Sequence, residues 1–261
     1  MATDALIDRF LHGLAPLRPL ALWAHGSLAG GDYQEGRSDL DLIAVLPGPV
    51  GLAAVRQTVT LHRRLRTEPL AAALHCSYVT RATLADPDRS HLTWAHGHVM
   101  RRPVTPVTRC ELHRFGRVLH GEAPGALLPP VPAHELNEFV VRDQRDYWRP
   151  AVGKARLWRQ DVWVDLGLLT FARATFTLRE GRLISKREAL DELPRLGAPA
   201  EVVEDIRRRR YGRTAPSADH RADRQADHRT DRQADRRLVR RAEVTRSYLG
   251  PAIDELVAAY A

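Results

Sequence analysis

The sequence predicts an α+β chain: an N-terminal domain of strands and helices over residues 1–123, followed by a helical bundle over residues 133–261. Three observations predict it. Short apolar runs bounded by turn residues occupy the first third of the chain. After residue 105, apolar residues recur at helical spacing, with Gly153, Gly181 and Gly197 near the ends of the periodic segments. Between the two regimes lies a stretch with four prolines in nine residues, 124–132, which reads as a linker. A length of 261 residues with 44% apolar composition is enough for one large or two modest cored domains.

The elements follow in order. Thr3 caps a first helix in which Leu6, Ile7, Phe10, Leu11 and Leu14 fall on one face. Leu20 to Ala24 is a short buried strand that ends at His25-Gly26, and Asp39 to Leu46 is a second, stopped by Pro47-Gly48-Pro49. Leu52, Val55, Val59 and Leu65 among arginines predict a surface helix over Gly51 to Thr67, and Ala73 to Val79 is a third strand. Helices are predicted over Glu111 to Leu119, His134 to Trp148, Trp158 to Arg179, Lys186 to Leu196 and Pro199 to Tyr211. Residues 218–237 repeat every four: ADHR, ADRQ, ADHR, TDRQ, ADRR. Its only weakly apolar row is Ala/Thr and Asp recurs at i, i+4, so a solvated helix or a disordered low-complexity insertion is expected there.

Charge and cysteine usage narrow the function classes. The formal net charge is +8, but the excess is concentrated in residues 206–261, so no basic groove along the body is expected and a nucleic-acid partner is disfavoured. The longest apolar-looking run, Val162 to Leu178, contains Asp165 and Arg173 and is too short to span a bilayer. Cys76 and Cys110 have no ligand spacing, and Asp4 and Asp8 stand where a secretory leader needs basic residues. A cytoplasmic, monomeric protein without a membrane partner is the expectation.

The informative stretch is Gly26-Ser27, a spacer, then Asp39-Leu40-Asp41. Two carboxylates two residues apart on a strand face the same side, while Leu40 and Leu42 face the core. Adjacent carboxylates repel unless a cation lies between them, and hard oxygen donors suit Mg²⁺, which takes one or two carboxylates plus substrate phosphates. Gly26 lets backbone approach a phosphate, and Ser27 offers a hydroxyl beside a helix N-terminus. Taken alone, DxD would be no more than strand-entry acids; Gly-Ser at this spacing is what favours metal and nucleotide. Ser185 with Glu188 forms a capping-box pattern, which puts Lys186 in the first turn of a helix. A cation there is unfavourable with the helix dipole unless an anion is near, although an exposed lysine would read the same way. Asp143, Asp146, Asp161 and Asp165 with Trp148, Trp158 and Trp163 form a set of acids and flat faces suited to a polycationic ring compound, or else a bundle core with its solvated face.

Gly-Ser, a spacer and Asp-x-Asp resemble the signature of the DNA polymerase β-like nucleotidyltransferase superfamily. Leu169 to Ala189, LTFARATFTLREGRLISKREA, is similar to the Gly turn and Lys-bearing helix of the aminoglycoside 3''-type (streptomycin/spectinomycin) adenylyltransferases. The resemblance covers about three quarters of the chain. It implies a nucleotidyltransferase domain with a mixed sheet, followed by a helical domain. It also implies transfer of AMP from ATP, with Mg²⁺, to a hydroxyl of an aminocyclitol antibiotic. Asp39 and Asp41 would then be catalytic metal ligands, Gly26, Ser27, Ser38, Lys186 and Tyr211 would bind the nucleotide, and Asp161 and Asp165 would flank the acceptor-binding position. The family has a third carboxylate on the next strand, and the matching residue here is His75. A histidine there is a general base or a metal ligand, or a buried side chain satisfied by hydrogen bonds. The departure keeps open a weakly active or inactive nucleotide-binding regulator of the same fold. An enzyme acting on RNA rests on the basic tail alone.

Overall fold

The structure, a computed structural model, describes residues 2–212 and 227–261, with the backbone alone over 227–234. It is an α+β fold built as two compact units, residues 1–136 and 137–261.

The first unit opens with α1 (Ala2–Leu14), whose Leu6, Ile7, Phe10 and Leu14 are buried. There follow β1 (Ala21–Ala24), the single turn α2 (Gly26–Ala29), β2 (Leu40–Leu46), α3 (Leu52–Arg64) and β3 (Leu74–Thr80). The hairpin β4 (Ser90–Ala95) and β5 (His98–Pro103) comes next, then α4 (Pro106–Phe115), β6 (Arg117–Gly121) and α5 (Pro124–Leu127). The six strands form one mixed sheet in the order β5-β4-β3-β2-β1-β6. Only β2 and β3 pair in parallel, with Asp41 opposite His75.

Period-2 alternation explains the two cores. Leu40, Leu42, Ala44 and Leu46 of β2, with Leu74, Cys76 and Tyr78 of β3, face α1 and α3 in one cluster. Ile43, Val45, Trp23 and Val79 face Leu112 of α4 and Leu127 and Leu128 in the other. Because β2 is covered on both faces, its sequence runs apolar without a break after Asp41.

Three expectations need revision. The helix expected over Glu111 to Leu119 ends at Phe115, and Arg117–Gly121 instead forms the edge strand β6 beside β1. Gly116 breaks the helix, and the five residues of β6, with Val118 and Leu119 adjacent, carry no period-2 signal. The β4–β5 hairpin was not anticipated, since β5 (HVMRRP) is exposed along its length and reads as loop. The proline-rich stretch forms α5 and contributes Leu127 and Leu128 to the core of the first unit.

The second unit is helical. α6 (Ala133–Asp143) runs on through a π-helical turn, Gln144–Trp148, into α7 (Arg149–Val152). α8 (Asp161–Glu180) ends at Gly181 with φ +65° and is followed by α9 (Lys186–Glu192) and α10 (Ala200–Tyr211). The long α11 (Asp227–Tyr260) packs on α8, with Leu249 near Gly167, and buries Leu249, Ile253 and Leu256. Gly167 lets Trp158 lie against α8: a Cβ there would stand 2.5 Å from the indole. The first half of the 218–237 repeat lies outside the described residues, and from Asp227 onward it belongs to α11.

Candidate active site

The site of the first unit is assembled at the C-terminal end of β1 and the N-terminal ends of β2 and β3. β1 closes at Ala24, and the His25 N–H donates to the Asp41 carbonyl (3.0 Å), tying the Gly-Ser turn to β2. Gly26 has φ +60°, and a Cβ there would stand 2.8 Å from Asp41 Oδ2. Both the conformation and the approach of the carboxylate require glycine. Ser27 lies in the first turn of α2 and accepts the Asp32 N–H at its carbonyl. Ser38 is buried; its hydroxyl accepts from the Gln34 N–H (3.0 Å) and closes the turn that delivers Asp39.

The parallel register does the rest. His75 Nδ1 lies 3.6 Å from Asp41 Oδ1, and its Nε2 lies 3.7 Å from Asp39 Oδ1. The His75 side chain is 7% exposed, and Nε2 has no hydrogen-bond partner among the described residues. The Asp39 and Asp41 side chains are 53% and 34% exposed, so the carboxylates open to solvent while the imidazole backs them. Such a donor set suits Mg²⁺ in the mode where substrate phosphates and water complete its shell. Among the described residues, no group of three or more His, Cys, Asp or Glu is arranged to hold a metal by itself.

Two neighbours were not singled out from sequence. Glu111 of α4 is buried, and its carboxylate lies 3.3 Å from His25 Nδ1. Burial alone would lower the His25 pKa, but the Glu111 hydrogen bond and the charges of Asp41 and Glu111 prevail and hold it above its ordinary value. His96 sits in the two-residue loop between β4 and β5, where His96 and Gly97 both have positive φ (52° and 79°), as a type I′ turn requires. Its ring meets His75 edge-on at 4.5 Å between centroids. Burial and the neighbouring His75 and Arg102 lower its pKa. The position of His25 beside the Gly-Ser pair was a signal for the first; a non-glycine in a left-handed turn was not visible for the second.

In the second unit, Lys186 is the first residue of α9. The Glu188 N–H donates to Ser185 Oγ (3.1 Å) and the Ser185 N–H to Glu188 Oε2 (2.7 Å), completing the capping box. Tyr211, at the end of α10, lies under the guanidinium of Arg187, the neighbour of Lys186 on α9, at 4.0 Å from the ring centroid. Asp161 and Asp165 are held by arginines. Asp165 pairs with Arg209, and Asp161 with Arg241 at 2.6 Å, in a network closed by Asp205. Burial, opposed by Arg209, raises the Asp165 pKa. Trp158 is fully buried and donates to the Ala151 carbonyl, and Trp148 is 7% exposed, so both belong to the bundle core. Tyr147, exposed, stacks on Trp163, and Val162 and Leu166 of α8 are exposed as well. Tyr147 lies in the π-helical turn, a feature that often marks a functional site and leaves no mark in hydrophobic periodicity.

No family model matches the chain, and no curated protein matches it in sequence. Its fold is similar to a solved structure of spectinomycin adenyltransferase AAD(9) from Enterococcus faecialis, determined with ATP and spectinomycin. The TM-score is 0.65 at 14% identity, over 92% of this chain and 99% of that one.

Proposed function

We propose that this protein is a nucleotidyltransferase that moves AMP from ATP to a hydroxyl of a small polar acceptor of the aminocyclitol antibiotic class. The observation that carries the proposal is the meeting of Asp39, Asp41 and His75 around Gly26, in a fold shared with an adenyltransferase solved with ATP and spectinomycin. Asp39 and Asp41 would hold Mg²⁺, which when bound neutralises charge on the triphosphate. The acceptor hydroxyl attacks the α-phosphorus, the bond to the β-phosphate oxygen breaks, and pyrophosphate leaves. His75, whose Nε2 lies 3.7 Å from Asp39 Oδ1, is proposed to take the hydroxyl proton. Gly26 and Ser27 would line the phosphates and Ser38 would act through the turn that carries Asp39; Lys186 and Tyr211 are the residues of the second unit proposed for nucleotide binding. Asp161 and Asp165 are the carboxylates proposed for acceptor ammonium groups, which would compete there with Arg209 and Arg241.

One observation favours a second reading. A histidine stands where the resembled family has its third carboxylate, which suits a protein that binds nucleotide without turnover. Incubation with ATP, Mg²⁺ and a panel including streptomycin and spectinomycin, read by mass spectrometry for added AMP, separates the two. Adduct formation lost in Asp39→Asn supports the transferase. ATP-dependent thermal stabilisation with no adduct on any acceptor supports the binding protein.

A further inference from the structure

The first unit holds a cavity of about 620 Å³ at the opposite end of β2 and β3 from Asp39 and His75. The two sites are separated by the length of a seven-residue strand, about 20 Å. The floor is apolar, made by Pro49, Val50 and Val55 after β2 and by Leu92 of β4. The wall is cationic: Arg81, Arg89 and Arg101 all line the cavity, and no Asp or Glu does. All three arginines are exposed. Arg101 is steadied by donating from Nη2 to the Ser90 carbonyl at 2.7 Å.

His91 also lines the cavity, is 5% exposed, and its Nε2 has no hydrogen-bond partner. Leaving a buried ring nitrogen unsatisfied is costly. Burial first, and then Arg89 and Arg101, lower the His91 pKa; Asp86 acts weakly the other way. A ligand that carries negative charge would relieve the crowding of like charges among the arginines. The apolar floor adds a demand for a hydrocarbon or aromatic body, and the volume falls in the range of small-molecule pockets.

We propose that this cavity is a second ligand site, separate from the transfer chemistry, that binds a phosphate monoester dianion with an apolar body. Three guanidiniums around one mouth match a dianion better than a monoanion, and the planar fork of arginine suits phosphate oxygens. Tyr78 lines the same cavity and is fixed from behind by its hydroxyl's 2.8 Å hydrogen bond with His62 Nε2.

Phenyl phosphate is the probe, with phenol and inorganic phosphate as the body without the charge and the charge without the body. Calorimetric titration of the full chain should show one saturable site for phenyl phosphate, at least tenfold tighter than for either control. The double variant Arg81→Gln/Arg101→Gln should weaken it at least tenfold with an unchanged melting temperature. Asp39→Asn should leave it unaltered, which separates this cavity from the nucleotide site. Absence of saturable binding, binding retained in the Arg81→Gln/Arg89→Gln/Arg101→Gln variant, or binding lost in Asp39→Asn would each overturn the proposal.

Discussion

His75 Nδ1 lies 3.6 Å from Asp41 Oδ1, across the one parallel pair of strands in the sheet, where the two residues stand directly opposite each other. Their side chains share a face because Leu74 and Cys76 turn the other way, into the core with Leu40 and Leu42. The juxtaposition is thus a consequence of register, and a shift of one residue would bury the imidazole among leucines.

If His75 accepts the hydroxyl proton, His75→Ala lowers AMP transfer by about 10²–10⁴-fold, the ordinary scale of general-base catalysis. His75→Glu, which restores a carboxylate on the same face, keeps or raises the rate. Single-turnover transfer with each variant decides this. Unchanged rates in both, with normal folding and ATP binding, remove His75 from the chemistry.

Gly26→Ala strains the backbone at φ +60° and forces the Asp41 carboxylate away from the new Cβ. The left-handed conformation costs about 1–2 kcal/mol for a residue with a Cβ, a modest drop in melting temperature. The larger effect is on transfer, since a displacement near 1 Å at a reacting centre can cost about 10²-fold. Melting and turnover measured on the same sample should show activity lost well beyond stability.

His62 gives the first unit a pH dependence. It stacks on Trp94 at 4.6 Å between ring centroids, and burial pushes its pKa down to about 3. The fold therefore favours the neutral ring. Its contribution is complete above the unfolded pKa near 6.5 and is lost as pH falls toward 3. At about 1.4 kcal/mol per tenfold change in proton affinity, the loss at pH 4 is about 3 kcal/mol. Denaturant melts at pH 7.5 and pH 4 should show this loss, and His62→Gln should remove most of it.

Gly167→Ala overpacks the second unit, because the added methyl meets the Trp158 ring at 2.5 Å and the ring is fully buried. Overpacking of this kind costs about 1–3 kcal/mol, and the helix propensity of alanine returns less than 1 kcal/mol of that. A lower melting temperature, with Trp fluorescence altered in the native state, is the expected result. A variant as stable as the parent would mean that α8 moves away from Trp158 without penalty.

Local chemistry was legible in the amino-acid order. The apolar run after Asp41 announced a strand, Ser185 and Glu188 announced the cap that places Lys186, and Gly181 announced the end of α8. Each depends on residues within one or two turns of one another, so neighbours alone determine it. The pairing of Asp41 with His75, the Glu111 carboxylate on His25, and the arginine partners of Asp161 and Asp165 depend on chain segments 34 to 86 residues apart. Those contacts follow from strand order and helix packing. The same closure made edge strands of Arg117–Gly121 and of β5: there, hydrogen bonds to a neighbouring strand supply the stabilisation that largely exposed side chains do not.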